Sequence, residues 1–391
     1  MKKIDAKVLR NLKIHKGQYI AITLLITIGI TIFLAFDLAV YNLRDTVDTY
    51  YEDYSLSDLY VYGVDLGHVE EKITLLSDVE GSELRGVYEG KAVFDEDIAK
   101  LKFISVTDKI NKVYVESGDL EIEKDEVLLF KRFADARGID VGDKLVIRLL
   151  GIEYEVTVNG LVYSPEFIYL AESEKDMLPR PEEYGVAYIS DELMSDVYGN
   201  NFYNEIIVKV INEEAIDSVK ENLKQIVKDE DIYPGIVISK DEQFSYRAAE
   251  EEINGEIAMS RSMPVLFLII AAVVMAVLVA RTVENERIEI GILKALGYSN
   301  KRIINSYLKL TIILGVIGAV FGMIIGGLIS YQFTKVYTAF FEIPILVYNF
   351  DFKYLVFALL IAVVLSSISG ISGARKVLKL MPQESMRPKA P

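Results

Sequence analysis

The chain has 391 residues, 51% of them hydrophobic, no cysteine and a formal net charge of -16. Without cysteine there is no disulfide framework or thiolate metal site, and the two histidines, His15 and His68, stand too far apart in sequence to mark a ligand cluster. The charge is unevenly divided: residues 42–262 hold 50 Asp plus Glu against 23 Lys plus Arg, and the remainder is net +11, with bases beside apolar runs rather than on a separate basic face, which argues against a nucleic-acid partner.

Residues 1–18 carry Lys2, Lys3, Lys7, Arg10, Lys13 and Lys16, with Ile4, Val8 and Leu12 recurring on one side. That pattern predicts a basic amphipathic helix lying at the cytoplasmic membrane surface. Four apolar runs follow, Tyr19–Phe36, Met263–Ala280, Leu308–Tyr331 and Tyr354–Ile371, charged only at Lys309. The shortest have 18 residues, about 27 Å of helix, enough to cross a hydrocarbon core of about 30 Å when the flanks snorkel. The expected spans, flanks included, are 19–41, 263–281, 308–334 and 354–372. The first is longer than a signal-peptide core and no small-x-small cleavage site follows it, so it reads as a retained helix.

Basic residues orient the spans. The 281–307 loop has five Lys or Arg and the tail from 372 has five, whereas 332–353 has only Lys335 and Lys353. By the positive-inside bias, both termini and the 282–307 loop are cytoplasmic, and residues 42–262 and the short loop 335–353 lie outside. Small residues recur at helical spacing within the spans: Thr23, Thr27 and Thr31 in the first, Gly318, Gly322 and Gly326 in the third, Ser366 with Gly370 and Ser369 with Gly373 in the fourth. With no ionisable residue in mid-membrane, these stripes read as packing surfaces rather than a transport path or channel.

Tyr41–Tyr54 and Glu242–Ser262 continue the first two spans outward as helices, a stalk with soft points at Gly255 and Pro264, where Pro264 also suits a new first turn. Between them, strands are expected at Leu59–Val64, Leu84–Phe94, Leu101–Val106, Glu205–Val210 and Gly235–Ser239, with helices at Val69–Leu76 and Glu213–Val227. The simplest arrangement is two β-α-β halves split by a strand-rich insertion at about 113–189. That insertion holds Glu126–Phe130, a short helix near Phe133–Arg137, Lys144–Leu149, Tyr154–Tyr163 and Val186–Ile189. The many carboxylates read as a solvated acidic face. Tyr41, Tyr50, Tyr51 and Tyr54 suit an aromatic belt, and Tyr60 and Tyr62 strand packing. Met177–Pro181 is a proline-bracketed loop of the kind that carries binding residues.

The loop after the second span is the segment that the rest serves. Glu284–Leu296 predicts a short helix that gathers Ile288, Ile292, Leu293, Ala295 and Leu296 on one face, has Glu284, Glu286 and Glu289 early, and is stopped by Gly297. Such a helix lies on a bilayer surface or docks into a partner. The run Glu286-Arg287-Ile288-Glu289-Ile290-Gly291-Ile292-Leu293-Lys294-Ala295-Leu296-Gly297 resembles the corresponding loop of FtsX-like permeases, the group that includes MacB and the lipoprotein-release permeases. Asp125–Leu129, Asp140–Leu145 and Tyr154–Val162 are similar to the extracytoplasmic core of the MacB-like members, and the tail Met381–Pro391 resembles the joint leading to a second four-helix unit in longer relatives.

The resemblance implies a membrane protein of four transmembrane helices with a large α+β extracytoplasmic domain on a helical stalk. It also implies a coupling helix that docks on a separate ABC ATPase, and a second permease copy or homologous half. No G-x-x-x-x-G-K-[ST], H-E-x-x-H or G-x-S-x-G motif occurs, so ATP and Mg belong to the partner and this chain is not itself an enzyme. Export or extraction of peptide, antibiotic or lipid-linked cargo and regulation of cell-wall hydrolases both fit that family. A membrane-anchored receptor or scaffold without an ATPase is the alternative from another class.

Overall fold

The computed structural model describes residues 16–95, 97–172, 178–375 and 377. The expected surface helix at 1–18, all but its last three residues, and the tail from 378 therefore lie outside the described residues, as does Met177 of the proline-bracketed loop. In chain order the elements are α1 (Lys16–Asp53), β1 (Leu59–Gly63), α2 (Gly67–Thr74), β2 (Val79–Arg85), β3 (Val87–Val93), β4 (Ile98–Ser105), β5 (Tyr114–Gly118), β6 (Glu126–Phe130), α3 (Lys131–Arg137), β7 (Lys144–Leu149) and β8 (Ile152–Tyr163). They continue with β9 (Tyr184–Ile189), α4 (Asp191–Tyr198), β10 (Glu205–Val210), α5 (Ile216–Asp229), β11 (Pro234–Ser239), α6 (Phe244–Asn285), α7 (Arg287–Ala295), α8 (Asn300–Phe340) and α9 (Phe352–Ala374). The described residues fall into two compact units, one drawn from 16–43, 254–336 and 348–377, the other from 44–253 and 337–347.

The first unit is helical. α1, α6, α8 and α9 are each long and apolar enough to cross a membrane. Their shared core is Ile22, Ile26, Ile30, Leu34, Met275, Val279, Leu310, Leu314 and their neighbours, while Leu24, Ile28, Val273, Phe321, Leu328 and Leu360 stay exposed. That division, apolar inside and out, is what a lipid solvent permits. The helices extend beyond the expected spans. Pro264 lies inside α6 rather than at a first turn, because the helix already begins at Phe244.

The second unit contains two sheets. One has the order β11-β1-β10-β2, antiparallel throughout, built from the halves β1-α2-β2 and β10-α5-β11. This is the split β-α-β arrangement. Period-two alternation explains its two faces. Leu59, Val61, Ile206, Val208 and Val237 pack with Val69 and Ile73 of α2 and Val219, Leu223 and Val227 of α5. Tyr60 and Ile207 point the other way and pack with Ile110.

The inserted strands form a ring in the order β8-β6-β9-β4-β3-β7, closed because β7 pairs back with β8, and β5 pairs with the far end of β8 beyond β7. A closed sheet leaves no long free edge. Leu101, Phe103, Val127, Leu129, Ile147, Val158 and Ala187 belong to its main core.

The insertion is wider than the expected 113–189. Leu84–Phe94, expected as one strand, is two: β2 lies in the four-stranded sheet and β3 in the barrel, with Gly86 between them. A Cβ at Gly86 would come within 2.8 Å of the Phe202 ring, so glycine is what allows the crossing. β5 and α4 are further elements beyond those expected. α4 carries a signal at Ser190, whose side chain accepts a hydrogen bond from the Leu193 backbone N–H.

At the crossing between the two sheets a buried ionic cluster forms. Arg85 donates from Nη1 and Nη2 to both oxygens of Glu166 at 2.7 Å and from Nε to Glu205 at 2.5 Å, and Asn111 donates to Glu166 at 3.0 Å. All three charged side chains are nearly inaccessible. The carboxylates are thus not all a solvated face: Asp58, Glu166, Glu205 and Glu342 are buried. Replacing Arg85 by Met would leave two carboxylates without their cation. A loss of about 3–5 kcal/mol is expected, seen by calorimetry as a lower unfolding midpoint for the sheet-containing unit. The triple neutral variant Arg85→Met, Glu166→Gln, Glu205→Gln should recover much of it.

Candidate functional site

Helix α7 is short and amphipathic, and its two sides have different fates. Ile290 and Gly291 are buried, and Ile290 packs with Val283 of α6, Ile303 and Tyr307 of α8, Ala374 of α9 and Val377. Leu293 is half-buried against the same cluster. On the opposite side Ile288, Ile292 and Leu296, at 49%, 47% and 71% exposure, form an apolar stripe at i, i+4 and i+8, widened by exposed Ala295.

Both ends of the helix are fixed. At its start the α6 helix stops at Asn285, and Glu286 occupies the cap position, not the first turn; its buried carboxylate accepts a hydrogen bond from the Tyr307 hydroxyl at 2.6 Å. At its end Gly297 adopts φ +86°, its N–H donates to Lys294 O, and the Tyr298 N–H donates to Leu293 O, both at 3.0 Å. That is a Schellman turn, which only glycine enters without strain. Lys294 donates to the Val377 carbonyl at 2.6 Å, and burial pulls its ammonium pKa down. The polar residues of this segment therefore hold the helix to its seat while the aliphatic stripe is left outward.

Several expectations change here. Glu284 belongs to the end of α6 rather than to the short helix. Leu293 faces inward, and Ile290, absent from the expected apolar face, is the main anchor. Arg287 is half-buried and Glu289 exposed.

The small-residue stripes of the spans meet one another. A Cβ added at Gly318 would lie 2.7 Å from Thr23 O, at Gly322 2.8 Å from Ile30 Cβ, and at Gly326 2.9 Å from Leu34 Cβ, so α1 and α8 touch along the whole seam. The Thr27 hydroxyl bonds across to Gly318 O at 3.1 Å and Thr31 to Gly322 O at 3.4 Å, whereas Thr23 bonds within its own helix to Tyr19 O. Ser366 lies against Gly315 and Gly370 against Thr311, joining α9 to α8. Gly373 lies against Val279, and Ser369 donates to Ala272 O at 2.9 Å, joining α9 to α6. Sequence reasoning missed Gly315 and Thr311, the partners of the α9 stripe. Among the described residues no group of three or more His, Cys, Asp or Glu has the arrangement of a metal site.

Four long apolar helices and a sheet-built domain define a polytopic membrane protein. Residues 261–382 match the family described as FtsX-like permease C-terminal. The resemblance carried by Glu286–Gly297 is borne out for the region that contains it, which is of FtsX-like permease type. None of the curated proteins compared with the chain matches it. Among solved structures, the chain is similar to the extracellular domain of the noncanonic ABC-type transporter YknZ from Gram-positive bacteria, at 13% identity and a TM-score of 0.32, covering 47% of this chain and 98% of that one. It is likewise similar to the periplasmic region of MacB from Actinobacillus actinomycetemcomitans, at 13% identity and a TM-score of 0.32, covering 50% of this chain and 94% of that one.

Gly322→Leu inserts a branched side chain where even a Cβ would collide with Ile30 and the Thr27 carbonyl. Overpacking should cost about 1–3 kcal/mol, read as a lower thermal midpoint of the detergent-solubilised protein. Gly297→Ala should cost less, because nothing lies within 4 Å of the added methyl and only the backbone is strained.

Proposed function

We propose that this chain is the membrane-spanning subunit of an ABC-type transporter, in which a separate ATPase docks on the outward stripe of α7. The observation that carries the reading is the exposed row Ile288, Ile292, Leu296 on a helix seated firmly by Ile290, Glu286 and Lys294, within the region that matches FtsX-like permeases. An aliphatic row at this spacing is the anchor pattern of a helix laid in a partner's groove. Burying each such side chain supplies about 1.5–3 kcal/mol.

In this reading α7 lies on the cytoplasmic side with both chain termini, and the sheet-containing unit is extracytoplasmic. ATP and Mg are held by the ATPase, and a second copy or a homologous half completes the membrane assembly. Hydrolysis moves α7, and the continuous helices α1 and α6 carry the movement to the sheet-containing unit, so that work is done outside the membrane. Polar groups within the spans are spent on helix packing, which suits a mechanical rather than a conducting role.

Capturing the full-length protein from its native membrane in mild detergent tests the reading. A P-loop ATPase should co-purify with the wild type and be reduced at least tenfold by Ile292→Glu, which alters an exposed side chain and should leave the thermal midpoint unchanged. Equal recovery from both proteins would reject α7 as the docking element. No ATPase with the well-folded wild type would favour a membrane-anchored receptor or scaffold.

A further inference from the structure

The residues that connect α8 to α9 do more than close a loop. Tyr337–Val347 belongs to the sheet-containing unit. Phe341 is fully buried, Ile343 nearly so, and Phe340 meets the Tyr169 ring at 6.2 Å. The Val347 carbonyl accepts from the Thr46 hydroxyl of α1 at 3.0 Å. Arg132 of α3 reaches the segment from the barrel, 3.5 Å or less from the carbonyls of Ala339 and Phe340 and 3.4 Å from Glu342 Oε1.

Glu342 is the odd member. Its carboxyl is buried, its Oε2 has no hydrogen-bond partner among the described residues, and its backbone is left-handed at φ +53°. A buried carboxylate normally collects several donors or a close bidentate cation. This one has a single long contact to a guanidinium that is also shared with two carbonyls. Such a place accommodates a neutral carboxylic acid better than a carboxylate.

We propose that the seating of Tyr337–Val347 on the barrel is proton-linked: the segment sits down with the Glu342 carboxyl neutral, and ionisation of that carboxyl loosens it. Burial pushes the Glu342 pKa from its ordinary 4.5 up to about 8, against the opposing pull of Arg132. The titratable groups on this side include Tyr169, whose ring meets Phe340 and whose hydroxyl is pushed up by burial, and Tyr163 of β8, pushed up to about 12 by burial, with Glu116 of β5 and Asp135 of α3 also acting on it. Tyr163 therefore stays neutral across the relevant range. Because the seated pKa is the higher one, the stabilisation is complete below about pH 4.5 and is lost as pH rises through about 8. This device is independent of what docks on α7.

Hydrogen exchange of the full-length protein in maltoside detergent, corrected for the intrinsic pH dependence of exchange, measures the opening of peptides covering 337–347. The expected opening population rises about tenfold per pH unit from about pH 5 to 8 in the wild type and is flat in Glu342→Gln. A flat wild-type profile, or an unchanged slope in the variant, would overturn the proposal. Infrared spectroscopy tests the wild type without relying on the variant's folding: a protonated-carboxyl band should persist at pH 7 and titrate away near pH 8. Its absence at pH 7 would equally overturn the proposal.

Discussion

In a hydrocarbon solvent, leucine gains nothing by leaving lipid for a neighbouring helix, so the membrane unit depends on how closely its backbones approach. The α1–α8 seam supplies that approach. Glycines at three successive turns of α8 admit the carbonyls and β-branched side chains of α1, and two threonines convert the approach into cross-helix hydrogen bonds. Contacts of α9 with α8 and α6 repeat the device with serine, threonine and glycine. α7 inherits its position from this scaffold, because its anchor Ile290 packs among residues of α6, α8 and α9.

The sheet-containing unit is held together differently, by several apolar clusters and a short list of buried charges. Arg85 joins strands at the base of one sheet to the turn that follows the longest barrel strand, and each nitrogen of its guanidinium donates to one of two carboxylates. Arg132 and Glu342 are an incomplete version of the same chemistry, one long contact with an oxygen left over. The contrast is between a cation whose carboxylate partners are closely bonded and one whose partner keeps an oxygen unbonded.

The legible parts of the fold were those that composition or a short period determines. Apolar length marked all four spans, short apolar runs located Glu126–Phe130 and Glu205–Val210, and alternation located Lys144–Leu149, at the bounds observed. The change of sheet at Gly86 was not legible, since hydrogen-bond partners are not encoded locally. β5, Tyr114–Gly118, is half polar and mostly exposed, so it carries little period-two signal. On α7, spacing placed Ile288 and Ile292 on one side, but only the arrangement of α6, α8 and α9 decides that Ile290 and Leu293 face inward. Glu342 left no sequence signal at all, because its ionic partner Arg132 stands 210 positions earlier in the chain.

The barrel is entered and left at a single place. Arg85 and Glu205 are directly opposite one another in the β2–β10 ladder, and the Asn204 side chain exchanges two 2.8 Å hydrogen bonds with the backbone of Val87. Topologically, everything from Gly86 to Asn204 is therefore an elaborated hairpin loop. Excising it would leave two adjacent antiparallel strand ends that an ordinary tight turn can join, while stripping Ile110 from the face made by Tyr60 and Ile207 and Glu166 from Arg85, so what the inserted residues supply to the platform is the cover of one face and not its strand order.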